Sequence, residues 1–288
     1  DNHYPEEAPS HPVSVDGFGM DASPVTNGQF RRFVEETDYV TFCEQLPDPS
    51  QYPGANPAML VAASVVFVAP TRPVDRRDHH QWWRFVPGAD WRHPQGRDSS
   101  LVGRDNHPVV HVAYADVEAY AKWAGKQLPT EAEFEWAAHG GRDDIFPWGN
   151  ELAPGGRHMA NTWQGEFPWQ NLAEDGHVGT SPVGAYPPDA YGLWDMIGNV
   201  WEWTSDWYRA RHDEPAAKAC CVPSNPRGAA QDDSYDPAQA IRIPRKVIKG
   251  GSHLCAPTYC RRYRPAARMA QPVDTSTSHL GFRCVYRP

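Results

Sequence analysis

No stretch of this 288-residue chain approaches the ~20 consecutive apolar residues that cross a bilayer, and no charged-then-apolar leader opens it. A soluble protein with no membrane partner is expected. A basic excess is also missing: 27 Lys and Arg stand against 36 Asp and Glu, a net charge of −9. Outside Arg261 to Arg268 there is no basic cluster, which argues against nucleic acid as a partner. Low-complexity linkers are absent, so one continuous domain over residues 1–288 is expected. Cysteine is scarce. Six thiols (Cys43, Cys220, Cys221, Cys255, Cys260, Cys284) are too few to staple a chain this long, and the fold must stand on its core. What abounds is turn formers and rings: 23 Gly, 29 Pro and 12 Trp, with Gly and Pro together well above their usual ~12%. They predict a compact fold rich in ordered loops.

Along the chain, the alternation over 11–21 predicts a half-buried strand. Thr26 with Gln29 reads as a capping box opening a helix whose Phe30, Phe33 and Val34 share a face. Residues 46–100 are Pro-rich and irregular, with Trp82, Trp83, Phe85 and Trp91 forming either a satellite core or one wall of a peptide groove. Val109 to Ala113 predicts a short strand, and Asp116 the cap of a helix ending at Gly125. Thr130 and Glu133 form a second capping box, so Glu131, Glu133 and Glu135 read as helix structure rather than catalytic acids. His107 and His111 do not share a helical face, which disfavours a metal there. Strands are expected over Trp201 to Trp207, with an aromatic face, over Lys246 to Lys249, and over Gly281 to Tyr286. Cys220 and Cys221 read as incidental thiols of a surface loop.

Between Asn161 and Glu202 oxygen ligands thicken, among them Asp175, Asp195 and the turn Gly198-Asn199. Hard cations such as Ca²⁺ take six to eight oxygens from carboxylates, amides and loop carbonyls. By composition alone, solvated turns are the simpler reading. The chemistry concentrates in Gly250-Gly251-Ser252-His253-Leu254-Cys255 and onward to Cys260, two thiols five positions apart. A four-thiolate zinc site lacks a second pair. A redox pair normally sits as Cys-x-x-Cys at a helix start. Soft monovalent copper needs only two sulfurs, and nearby Arg261 and Arg262 favour the thiolates it requires. Spacing alone places a structural disulfide first and a soft metal second.

The blocks Trp-Ala-Gly-Lys-Gln-Leu-Pro-Thr-Glu-Ala-Glu-Phe-Glu-Trp (123–136), Phe-Pro-Trp-Gly-Asn (146–150), Asn-Thr-Trp-Gln-Gly-Glu-Phe-Pro (161–168), Gly-Asn-Val-Trp-Glu-Trp-Thr-Ser-Asp-Trp (198–207), Gly-Gly-Ser-x-x-Cys-x-x-x-x-Cys-x-Arg-Tyr-Arg (250–264) and Leu-Gly-Phe-Arg-Cys (280–284) resemble the formylglycine-generating enzymes, the sulfatase-activating family. The likeness runs from about His11 to Arg283. Its specific part is the Cys255/Cys260 pair, which non-catalytic paralogues lack.

The resemblance implies an irregular, loop-rich C-type-lectin-like α+β domain with Cu(I) bound by Cys255 and Cys260. It implies oxidation of the Cys of a Cys-x-Pro-x-Arg segment in an unfolded sulfatase to Cα-formylglycine, with O₂ and a thiol reductant. In the implied mechanism the substrate thiolate is a third sulfur ligand, O₂ is reduced at copper, hydrogen leaves the substrate Cβ, and hydrolysis of a thioaldehyde releases sulfide. Ser252, Trp201 and Tyr259 match residues at or beside that pocket. One Ca²⁺ would use Asn161, Asp175 and the carbonyls of Thr162 and His177; a second, Asp195, Glu202 and the carbonyls of Gly198 and Val200. Ala138 and Pro265 stand where secreted eukaryotic members carry cysteines, leaving Cys284 without its partner. A bacterial-type member in a reducing cytoplasm is expected. The alternative function is a non-catalytic, paralogue-like module that holds sulfatase chains on a Trp-lined surface. An iron-dependent sulfur–carbon bond-forming relative would need a His-rich site and an extra helical domain, and neither pattern is present.

Overall fold

The computed structural model describes residues 3–212 and 222–288. Cys220 and Cys221 lie outside the described residues. Among the described residues, eight short strands (β1 Gly19–Met20, β2 Ala63–Phe67, β3 Trp83–Pro87, β4 Trp201–Trp207, β5 Arg245–Lys249, β6 Arg268–Pro272, β7 Leu280–Gly281, β8 Val285–Tyr286) and three α-helices (α1 Asn27–Thr37, α2 Tyr114–Trp123, α3 Glu131–Ala138) are joined by long ordered loops. This is the loop-rich fold that the composition predicts and the α+β architecture that the resemblance implies.

The four-stranded sheet has the order β6-β5-β4-β7. Strand β4 runs antiparallel to β5 and parallel to β7. Trp201 and Trp203 are buried in the main core, but so are Glu202 and Thr204. The expected aromatic face is therefore one of two covered faces. Thr204 Oγ1 donates to the Val247 carbonyl (2.8 Å) and Trp203 Nε1 to that of Val112 (3.0 Å). Each buried indole contributes on the order of 4–5 kcal/mol of transfer free energy.

Helix α1 opens as expected: Gln29 N donates to Thr26 Oγ1 (3.3 Å) and Thr26 N to Gln29 Oε1 (2.8 Å). Its Phe30, Phe33 and Val34 are buried. In α3, Thr130 and Glu133 form the second box at 2.7 and 3.1 Å. Glu131 pairs with Arg268 (2.6 Å), Glu133 with Arg287 (2.5 Å) and Glu135 with Lys249 (2.7 Å). All three carboxylates are engaged in holding α3 against the sheet and the C-terminal segment.

Four expectations are corrected. Helix α2 begins at Tyr114, and Asp116 sits inside it. The capping residue Ala113 has no acceptor side chain. Asp116 reaches back to accept from Ala113 N (2.8 Å), and also from Phe42 N (2.9 Å). Val109 to Ala113 is not a strand, because His111 at φ 61° turns it out of any ladder; the segment is buried throughout, His111 included. The alternating run 11–21 is strand only at its end, as β1: before Gly19 it is extended with one bridge, Ser14 to Ser224, while Val15, Phe18 and Met20 are half-buried and the last two pack against Phe134 and Met196. The expected closing strand is split: β7 joins the main sheet, β8 pairs with β1, and buried Arg283 lies between them.

The Pro-rich region 46–100 contains the β2–β3 hairpin. It also supplies Trp82 to a satellite core of Trp163, Phe167, Leu254 and Ala256, while Trp91 belongs to the main core.

Candidate functional site

Strand β5 delivers the chain to Gly250 and Gly251 at the end of the sheet. Gly251 has φ 73°, and a Cβ there would sit 2.8 Å from the Arg262 carbonyl and 3.0 Å from Tyr263 Cα. Only glycine lets the returning chain come this close. The return sets Cys260 against Cys255, with their sulfurs 3.4 Å apart. That is a hydrogen-bonding contact, well beyond the ~2.05 Å of a disulfide, and both are free thiols. Between them the loop is held by Cys255 N to the Ser252 carbonyl (2.9 Å) and Cys260 N to the Ala256 carbonyl (3.0 Å).

The two sulfurs differ in state. Cys260 accepts a hydrogen bond from the Cys255 thiol; together with the backbone N–H and guanidinium of Arg262, this outweighs burial and lowers its pKa to about 6. The same hydrogen bond from the donor's side, followed by complete burial, pushes Cys255 well above the ordinary thiol range. The pair is therefore polarised, with Cys260 favoured as the thiolate and Cys255 as the thiol. The donor set is soft, and two adjacent sulfurs fit the low coordination number of Cu(I). Among the described residues, no group of three or more His, Cys, Asp or Glu side chains is placed to hold a metal.

Ser252 is fully buried; its N–H points at Cys255 Sγ (3.4 Å) and its Oγ accepts from Leu254 N (3.2 Å). Trp201 is buried in the same core cluster as Cys255. Tyr259 lies at the rim, 42% exposed. It stacks on Phe167 (4.5 Å, 9°) and meets Trp82 edge-on (5.8 Å). From there the rings continue through Phe67 to Trp83 and His279. This aromatic wall ends beside Cys260. His279, its far end, and buried His253 (Nδ1 to the Asn199 carbonyl, 2.8 Å) are neutral imidazoles, lowered by burial to about 3 and about 4. His253 lies in the stretch that the sequence singles out, where it could add only one metal ligand; His279 carried no sequence signal.

The oxygen ligands gather in one neighbourhood. Asp175 accepts from Tyr186 Oη (2.7 Å) and His177 N (2.9 Å). Asn161 is buried and donates to the Gly179 carbonyl (2.9 Å), while the Thr162 carbonyl already accepts from Gln164. Asn199 N donates to the Asn161 carbonyl (2.8 Å), tying the first set to the second. Gly198 (φ 80°) is required there, because a Cβ would fall 2.5 Å from that carbonyl. Asp195 accepts from Gly184 N (3.0 Å) through Oδ2, but its buried Oδ1 has no partner. Burial raises its pKa. An orphaned buried carboxylate oxygen is what a hard cation would satisfy. Glu202 is different: both of its oxygens are taken by Arg283 at 2.8 Å. The all-oxygen donor sets fit calcium, with Glu202 shared between any cation and an arginine that the sequence did not reveal.

No helix among the described residues is long and apolar enough to cross a membrane. Comparison with known proteins follows the same lines. The profile of the family described as "Sulfatase-modifying factor enzyme 1-like domain" matches residues 1–288. The formylglycine-generating enzyme of Mycobacterium tuberculosis is 54% identical over 286 residues, covering 99% of this chain and 92% of that protein. The enzyme of the same name from Mus musculus is 44% identical, covering 96% of this chain and 68% of that one. The mouse protein named inactive Cα-formylglycine-generating enzyme 2 is 37% identical, covering 96% and 78%. Among solved structures, PvdO from Pseudomonas aeruginosa shares the fold, with a TM-score of 0.64 at 21% identity over 99% of this chain and 86% of that one. On the sequence match along its whole length, the chain belongs to the sulfatase-modifying factor enzyme 1-like family.

Proposed function

We propose that this protein is a copper-dependent oxidase that converts the cysteine of a Cys-x-Pro-x-Arg segment in unfolded sulfatases to Cα-formylglycine. The observation that carries the reading is the contact pair Cys255 and Cys260, one buried and one at the end of an aromatic wall. The names of the most similar relatives support the substrate. The overall change balances when one O₂ and two electrons with two protons from a thiol reductant turn the substrate CH₂–SH into an aldehyde, releasing hydrogen sulfide and water.

Copper(I) bound by Cys255 and Cys260 would supply the reduction of O₂. The chain's own residues do the rest. Arg262 and Cys255 together hold Cys260 as a thiolate, ready to be a ligand. Ser252 fixes the turn that aims Cys255, Trp201 closes the site from the core side and excludes water, and Tyr259 with Phe167 and Trp82 offers a surface to an extended peptide. The acidic net charge suits the Arg of that peptide. Calcium, held by Asn161, Thr162, Asp175 and His177, and by Asp195, Gly198, Val200 and Glu202, would fix the loops behind the site. The free, buried Cys284 accords with a reducing cytoplasm.

The test is direct. Incubating the protein with Cu(I), O₂, a thiol and a peptide containing Cys-Thr-Pro-Ser-Arg should lower the peptide mass by about 18 Da, the exchange of thiol for aldehyde. An unchanged mass with copper-loaded protein overturns the enzyme reading and leaves the binding module, which predicts peptide capture without conversion.

A further inference from the structure

Cys260 is followed by Arg261, Arg262 and Arg264, and a segment from the opposite end of the chain lies across all three. Tyr4 Oη accepts from Arg261 N (2.9 Å), and the Tyr4 ring lies 3.8 Å from the Arg262 guanidinium. One carboxylate oxygen of Glu6 takes both Nε (3.0 Å) and Nη2 (2.5 Å) of Arg262. Glu7 takes both terminal nitrogens of Arg264, whose Nε donates to the Arg261 carbonyl (3.0 Å). Pro5–Glu7 form a single tight turn, and Arg268 of β6 reaches the Glu6 carbonyl (3.4 Å). These ion pairs are sheltered, with side-chain exposures of 23% and 15% for Arg262 and Glu6 and of 8% and 3% for Arg264 and Glu7.

A guanidinium is a flat fork of five N–H donors. With Nε and Nη2 on Glu6 and one face on Tyr4, its plane and direction are set, and the Nη1 edge is left. The positive charge of Arg262 lies close enough to Cys260 to favour its thiolate. The interactions therefore run from Glu6 through Arg262 to Cys260, and from Cys260 to Cys255.

We propose that Tyr4 and Glu6 are positioning residues for the thiol pair: they hold the Arg262 guanidinium against Cys260, which keeps that sulfur beside Cys255 as the second donor of the soft-metal site. This rests on the copper reading above. The alternative is an ion pair that merely closes the chain's first residues onto the domain, and the two differ in what a charge swap does. Swapping the charges rebuilds the ion pair but puts a carboxylate next to Cys260.

The experiment is a Cu(I) titration of the full chain, under reducing and anaerobic conditions, against a chromogenic Cu(I) chelator. Thermal midpoint and near-UV circular dichroism are recorded on each variant. Glu6→Gln should weaken Cu(I) binding by about tenfold, the usual effect of removing a group that orients a ligand. Arg262→Lys should do the same, since an ammonium cannot serve the carboxylate and the sulfur in one plane. The pair Glu6→Arg with Arg262→Glu should recover the thermal midpoint and not the affinity. If Glu6→Gln fails to fold, Tyr4→Leu, which removes the ring under Arg262, takes its place with the same expected direction. Affinity equal to that of the unaltered chain in the folded variant, or affinity recovered by the swap, overturns the proposal while leaving the copper reading intact. An unaltered chain that binds no Cu(I) overturns the copper reading first, and this one with it.

Discussion

The thiol loop and the oxygen-rich turns between Asn161 and Glu202 use the same backbone device for different ends. Both depend on left-handed glycines packed against a carbonyl, Gly251 on Arg262 and Gly198 on Asn161. The thiol loop presents soft donors, with Tyr259 half-exposed beside them; the oxygen turns face inward and are tied to the sheet by the buried pair Glu202–Arg283. On the proposed function, the thiol loop performs the chemistry and the oxygen turns hold it still. Irregular backbone suits both, because a turn can place donors at a point where a strand or helix would space them along a line.

The largest contrast is expected from two substitutions. Cys255→Ser should abolish peptide conversion and stoichiometric Cu(I) binding while leaving the thermal midpoint close to that of the unaltered chain. Asp175→Ala, or removal of hard cations with a chelator, should do the reverse: lower the midpoint, with conversion lost only as the fold is lost. Mass spectrometry of the peptide and calorimetry of the protein read the two effects separately. If chelation leaves the midpoint unchanged, the oxygen turns are solvated loops and the comparison fails.

Within the scaffold, Arg283→Met leaves Glu202 buried without its counter-charge, and should destabilise by about 3–5 kcal/mol. Adding Glu202→Gln should recover part of that loss in a denaturant titration. No recovery would mean that Arg283 matters through its bonds to the Trp194 and Asp195 carbonyls (2.8 and 3.2 Å) instead. Gly251→Ala tests the other side of the comparison with a smaller effect. A left-handed alanine costs about 1–2 kcal/mol, and the clash at 2.8 Å with the Arg262 carbonyl should open the loop. Cu(I) affinity should fall by more than stability does.

What the sequence made legible depends on how far apart the interacting residues are. Thr26 with Gln29 and Thr130 with Glu133 are local, and the capping boxes appear as read. The thiol pair is contained in one loop, so its closeness was legible in the spacing, but spacing alone placed a disulfide first, whereas the two are free thiols 3.4 Å apart. Asp116 misled because the same carboxylate chemistry serves at a helix cap and three residues inside it. The closing strand misled because Arg283, read as part of a continuous run, is turned inward to meet Glu202, 81 positions away. The contact of Glu6 with Arg262 spans 256 positions, and no local pattern encodes it.

The smallest predicted effect probes the rim, where the thiol loop meets the aromatic wall. Tyr259 belongs to both, five positions after the Leu254 of the satellite core and next to Cys260. If its role is to offer a ring face to the peptide, Tyr259→Phe should leave turnover and KM unchanged, because the stack on Phe167 (4.5 Å) needs no hydroxyl. Tyr259→Ala should raise KM for the Cys-Thr-Pro-Ser-Arg peptide roughly three- to tenfold, the equivalent of one lost ring contact, with turnover at saturating peptide preserved. A fall in turnover with KM constant would place the ring on the chemistry of the thiol pair rather than on the peptide. The boundary between the catalytic loop and the binding wall would then lie beyond Tyr259, at Phe167 and Trp82.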